Sequence, residues 1–160
     1  MSRATTKIMV GVICVLATAA PSAAGITAAD IAGRWQGQSY VSEGGGQLTL
    51  DIVACGKGWC GVKVEANNTC GGTALKIDAG KPDGDNLLFI GTLEMAPKTE
   101  PYVVHSWLIA SDNDTPLTLQ ITGDTGGEFR AYRRSFPFEV QMSRTQDAVC
   151  HAPETVSSLN

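Results

Sequence analysis

The residues best equipped for chemistry in this chain are its cysteines. Cys55 and Cys60 are separated by four residues, Cys70 follows after nine more, and Cys150 stands alone near the end. A fifth, Cys14, lies in an apolar run close to the start. Thiols in this number either cross-link or hold zinc. Structural zinc sites use paired C-x2-C knuckles, which this spacing lacks, and C-x4-C is not a C-x-x-C redox pair. Two disulfides are therefore expected, in one of three pairings. Cys55–Cys60 with Cys70–Cys150 is favoured, because a four-residue turn between two strands brings facing residues to bridging distance.

The other candidates are aromatic or imidazole groups. His105 is one of two histidines and precedes Trp107 by two residues. Neighbouring strand residues point to opposite faces, so His105 cannot activate Ser106, whereas His105 and Trp107 share a face. A hydrogen-bonded structural histidine is the plainer reading, and a ligand or partner contact the sharper one. Trp59 sits in the Cys55–Cys60 turn, where it either folds back over the hairpin or anchors a partner. Asp83, Asp85 and Asn86, and Asp112 with Asp114, form acidic turns that do not match a D-x-[DN]-x-[DN]-G calcium loop. They read as Asx-type turns. Asn67-Asn68-Thr69 and Asn113-Asp114-Thr115 match the glycosylation sequon. There is no G-x-S-x-G elbow, P-loop, H-E-x-x-H or G-x-G-x-x-G before a helix, and no identifiable glycosidase carboxylate pair. No catalytic residue, metal or cofactor is expected, and the chain reads as non-enzymatic.

Disulfides need an oxidising compartment, and the first residues read as the leader that reaches one. Arg3 and Lys7 precede the apolar run 8–20, and Ser22-Ala23-Ala24 supplies small residues for cleavage. This is the order of a secretory signal. The run is too short to span a membrane, which takes about 20 residues. Cleavage after Ala24 is the first choice and after Ala29 the second. Residues 25–150 then form one domain, with 151–160 as a flexible tail. The leader holds two of the 12 basic residues and none of the 16 acids, which leaves 10 against 16, a net charge of −6. Nucleic acid and anionic membrane surfaces are unsuitable partners for such a chain. No later segment is apolar enough to span a membrane, and the expected location is periplasmic or secreted.

The elements that must carry these residues have a period of two. Leu48, Leu50 and Ile52 alternate with Thr49, Asp51 and Val53, and similar alternation runs through 60–66, 117–122 and 138–143. Further strands are expected at 34–42, 73–79, 87–95, 102–110 and 128–134. Turns rich in Gly, Asp, Asn and Pro separate them. One helical turn is expected within 27–31. About eight or nine strands at this spacing predict an all-β, antiparallel meander closed into a barrel, with a β-sandwich as the alternative. Leu48, Leu50, Ile52, Val62, Val64, Leu75, Ile77, Leu117, Leu119 and Ile121 are the expected lining. The strand 102–110, apolar on both faces apart from His105 and Ser106, is expected to be covered on both sides or to face a cavity.

Gly33-Arg34-Trp35 resembles the G-x-W start of lipocalin-like (calycin) barrels. That resemblance implies that Trp35 plugs one barrel end and that a basic residue of the closing strand, Arg133 or Arg134, packs across it. With the hairpin from Ile52 through Cys55-Gly56-Lys57-Gly58-Trp59-Cys60-Gly61 to Val62, the chain is similar to a family of exported bacterial domains of unknown function. Those domains share a G-x-W strand, an apolar strand ending in Cys, then Cys-Gly and another strand. Leu88-Phe89-Ile90-Gly91 and Ala131-Tyr132-Arg133-Arg134 are loosely similar to its middle and closing strands. The resemblance implies a lipocalin-like barrel and no established activity. The expected role is a binding or accessory module holding a small apolar or amphipathic molecule in the barrel. The alternative is a protein-binding module acting on an envelope or secreted protein. Such a module would be an envelope assembly factor, or a protease inhibitor inserting residues 25–30 into its target by fold-level analogy.

Overall fold

A computed structural model describes residues 25–41, 45–96, 98–110, 116–125 and 137–152. Among them a single 3-10 turn, Ala28–Ile31, precedes nine strands. These are β1 (Gly33–Val41), β2 (Gln47–Cys55), β3 (Gly58–Val64), β4 (Cys70–Ile77), β5 (Lys81–Asp83), β6 (Asn86–Leu93), β7 (Tyr102–Ile109), β8 (Thr118–Thr125) and β9 (Phe138–Gln146). Their order in the sheet is β4-β3-β2-β1-β9-β8-β7-β6-β5, and a further β4–β6 pairing closes it. Eight strands therefore form an antiparallel barrel, and β5 is an extra strand hairpinned onto β6. The expected strand at 128–134 lies outside the described residues, as does Arg133.

Lys81–Asp83 reads as a turn in the sequence but forms β5. Gly84, at φ 62°, makes the tight reversal that sets Asp83 opposite Asn86. Pro82 is tolerated because β5 is an edge strand, where a missing N–H interrupts no ladder on the outer side. At the closing seam, Ile77 stands opposite Gly91. A Cβ on Gly91 would run into the Lys76 carbonyl and come within 2.7 Å of Ile77 Cα. Gly91→Ala is therefore expected to lower unfolding free energy by about 1–3 kcal/mol, as overpacking typically does, measurable by urea denaturation.

Side chains occupy the barrel interior. Trp35, Phe89, Phe138, Leu50, Leu108 and Met142 are all fully buried in one cluster that draws on strands around the whole barrel. Trp35 Nε1 donates to the Ile31 carbonyl at 2.8 Å, which fastens the 3-10 turn across one end with Ile31 buried beneath it. Leu48, Leu75, Ile77, Leu119 and Ile121 join this core as expected, and Leu117 packs partly buried against it.

Val62 and Val64 do not line the interior. They form a separate buried cluster with Cys150 and Ala152. Val62 stands opposite Asp51, on the outward face, and Gly61 stands opposite Ile52 on the inward one. Alternation identifies residues that share a face without saying which face is inside. Here the C-terminal segment 147–152 lies over the outward face of β2 and β3 and buries it.

Candidate functional site

Both disulfides have the favoured pairing, Cys55–Cys60 and Cys70–Cys150. The first closes the turn between β2 and β3. The second ties the C-terminal strap to the start of β4. Under the strap lies the most elaborate polar site among the described residues. Arg34 Nε and Nη2 donate to Asp51 Oδ1 and Oδ2 at 2.6 and 2.8 Å, a bidentate pair with Asp51 fully buried and Arg34 nearly so. Asp51 Oδ2 also accepts from the amides of Val149 and Cys150 at 2.9 and 2.7 Å. Burial alone would raise the Asp51 pKa, but the Arg34 guanidinium and the Cys150 and Val149 amides outweigh it and hold the carboxyl below its ordinary value. The bond to Asp51 in turn raises the Arg34 pKa. Both Asp51 oxygens are engaged within the chain, so this site fastens the strap.

The predicted contact residues divide between the two faces. Trp59 lies on the inward-facing side at the barrel rim, half-buried against the core. His105 and Trp107 share the outward face of β7, with rings stacked at 5.8 Å between centroids. Trp107 Nε1 donates to Asp83 Oδ2 at 3.0 Å, so β5 holds the indole in place. Ser106 points inward and is fully buried, on the opposite side from His105. The outward side of β7 is open, not covered: His105 is exposed and Val103 is 40% exposed. Beside it, Val103, His105, Thr122, Asp124, Pro137 and Glu139 border a cleft of about 350 Å³. A second hollow of about 270 Å³ lies between Lys63, Thr73 and Glu94.

Trp35 has its polar atom engaged by the Ile31 carbonyl. The residue opposite it in the pairing of β1 with β9 is Arg144, after a bulge between Arg34 and Trp35. The Arg144 guanidinium lies against Gly33 and pairs with Asp147 at 3.0 Å. Among the described residues the basic side chain opposite Trp35 is thus Arg144 of β9, and the expected partners Arg133 and Arg134 lie outside them.

The acidic turn at Asp83 and Asp85 gathers no metal site; among the described residues no group of three or more His, Cys, Asp or Glu side chains could hold an ion. Comparison with family models, with curated proteins and with solved structures found no match.

Proposed function

We propose that this chain is an exported binding module that engages its partner on the outside of the barrel, at the β7–β8–β9 face, and not in the interior. The observation that carries this reading is the packing: an eight-stranded barrel has room for its own side chains or for one small ligand, and large fully buried side chains already occupy this one. The open cleft beside His105 and Thr122 is the concave alternative. Two disulfides, and the likeness of the G-x-W strand and Cys-to-Cys-Gly hairpin to exported bacterial domains with lipocalin-like barrels, support periplasmic or secreted placement.

Insertion of residues 25–30 into a protease is poorly supported. Ile26 and Ala28 pack against the core, and the Thr27 amide and hydroxyl both donate to Asp30 Oδ2, at 2.6 and 2.8 Å. Those bonds hold the Asp30 carboxyl below its ordinary pKa and close the turn on itself, while the packing of Ile26 and Ala28 fixes the segment to the barrel end. The small-ligand reading keeps one observation in its favour. Ser106 Oγ is buried in the apolar interior with no hydrogen-bond partner, and a bound polar atom would satisfy it.

Ser106→Ala separates the two. With the interior closed to ligands, removing an unpaired hydroxyl is expected to leave stability unchanged or raise it by about 1 kcal/mol. Urea denaturation of protein purified from its native compartment checks this. A clear loss of stability, together with a co-purifying molecule in native mass spectrometry, would return the ligand to the interior and overturn the surface reading.

A further inference from the structure

The strand register sets a row of amide side chains across the outside of the barrel. Trp107 on β7 stands opposite Gln120 on β8, Gln120 opposite Gln141 on β9, Gln141 opposite Gln38 on β1, and Gln38 opposite Gln47 on β2. Directly opposed residues in an antiparallel pair project from the same face. Successive strands are about 4.8 Å apart, so Trp107 to Gln38 covers roughly 14 Å. The side-chain amides of Gln38, Gln47 and Gln141 are exposed and have no hydrogen-bond partner among the described residues. Gln120 makes one long bond, 3.4 Å, to Glu139.

The neighbouring rows continue the pattern. His105, Thr122, Glu139 and Tyr40 form one, and Thr118, Ser143, Gln36 and Thr49 form the other. Tyr40 is 69% exposed. The cleft bordered by His105, Thr122 and Glu139 opens along the first of these rows. From β8 through β1 the outward side chains at 120, 122, 124, 139, 141, 143, 36, 38 and 40 include six Gln, Ser or Thr and two acids; Arg34, in the same alternation on β1, lies buried in its pair with Asp51. Ordinary domain surfaces carry both charge signs interspersed. Among the described residues this face presents at these positions no exposed cation to attract a phosphate, sulfate or carboxylate, and too few apolar groups for a greasy ligand. What it offers is a repeat of groups that both donate and accept, since each glutamine amide has two N–H donors and a carbonyl acceptor. It also has aromatic rings, Trp107 and Tyr40, towards its two margins.

We infer that this face binds an uncharged, polyhydroxylated chain, that is, a neutral oligosaccharide. Vicinal hydroxyls match the double character of the amides, and the C–H face of a sugar ring stacks on the indole of Trp107, which Asp83 holds in place. The curvature of the barrel fans the row outward, so a flexible chain drapes over it instead of lying flat. The inference rests on the surface-binding reading and assigns that surface a ligand class.

Isothermal titration with neutral hexasaccharides (cellohexaose, maltohexaose and hexa-N-acetylchitohexaose), and with an acidic one, oligogalacturonate, tests it. At least one neutral hexasaccharide should bind at millimolar concentration or below, and the acidic chain should bind more weakly than that. Trp107→Ala and Gln141→Glu should each weaken binding about tenfold, the loss of one anchoring side chain. Gln141 is exposed, so this variant should keep the wild-type unfolding midpoint and separates lost binding from lost folding. Failure of all three neutral chains to bind, or binding indifferent to both variants, overturns the glycan assignment. If in that case a protein partner cross-links to this face, the surface reading survives without it. Binding of a fluorescent fatty-acid probe that Ser106→Ala alters and Trp107→Ala does not would overturn both.

Discussion

Asp51→Ala is expected to lower the unfolding free energy by about 3–5 kcal/mol, the usual cost of removing one partner from a buried ion pair. The deletion strands the Arg34 guanidinium in a nearly dry site and leaves the Val149 and Cys150 amides without their shared acceptor. Urea denaturation at neutral pH checks the magnitude. The informative control is the double variant Arg34→Met with Asp51→Leu. Replacing a buried pair by apolar volume is often close to neutral, so this double change should be milder than Asp51→Ala alone. A remainder should persist, because each orphaned strap amide costs about 1–3 kcal/mol. If Asp51→Ala costs less than about 1 kcal/mol, the pair behaves as a solvated surface bridge and the clamp described above does not exist.

The same carboxylate sets an acid limb. Its folded-state pKa lies below the unfolded value of about 3.9. The group therefore contributes its full stabilisation above that unfolded value, and the contribution is lost as pH falls through the lower folded one. The wild-type protein should lose stability steeply below about pH 4, and Asp51→Ala should show a shallower decline over the same interval, which a series of denaturation curves between neutral and acidic pH would reveal.

Much of this architecture is legible in the residues, and the failures share one cause. Period-two alternation located eight of the nine described strands, and the turn length between Cys55 and Cys60 anticipated their bridge. The same alternation sorted Asp51 with Thr49 and Val53 as a wet face, and Val62 and Val64 as lining. Both assignments reversed because the outward side of β2 and β3 is itself covered. The signal available was Cys150: a cysteine near the C-terminus, tied by a long-range bridge, must bring its own segment down onto some face of the barrel. Arg34 and Asp51 are 17 residues apart on adjoining strands, and nothing short of the register pairs them. The glutamine row is hidden for the same reason, since four side chains at 38, 47, 120 and 141 align only once the pairing of four strands is known. His105 and Trp107, in contrast, needed only strand parity, and their shared face was readable at once.

Removing the long-range bridge with Cys70→Ala and Cys150→Ala is expected to cost about 4.5 kcal/mol by loop-closure entropy, against about 2 kcal/mol for removing Cys55–Cys60. The difference follows from sequence separations of 80 and 5 residues. The loss should also be local in character. The described strap residues form only part of a small cluster, with Val62 and Val64 beneath Cys150 and Ala152, and their amide anchors both end on one carboxylate oxygen. Without the covalent tether that docking competes with the conformational freedom of a released segment, about 1–2 kcal/mol per residue. Hydrogen exchange should then show the Val149 and Cys150 amides opening readily while core amides of β1, β8 and β9 stay protected. Because Asp51 and the bridge hold the same segment, their losses should not add: Asp51→Ala placed on the bridge-less protein should cost less than it does in the intact one. Full additivity, with the two strap amides still protected after the cysteines are removed, would mean that the strap stays docked by contacts other than these two.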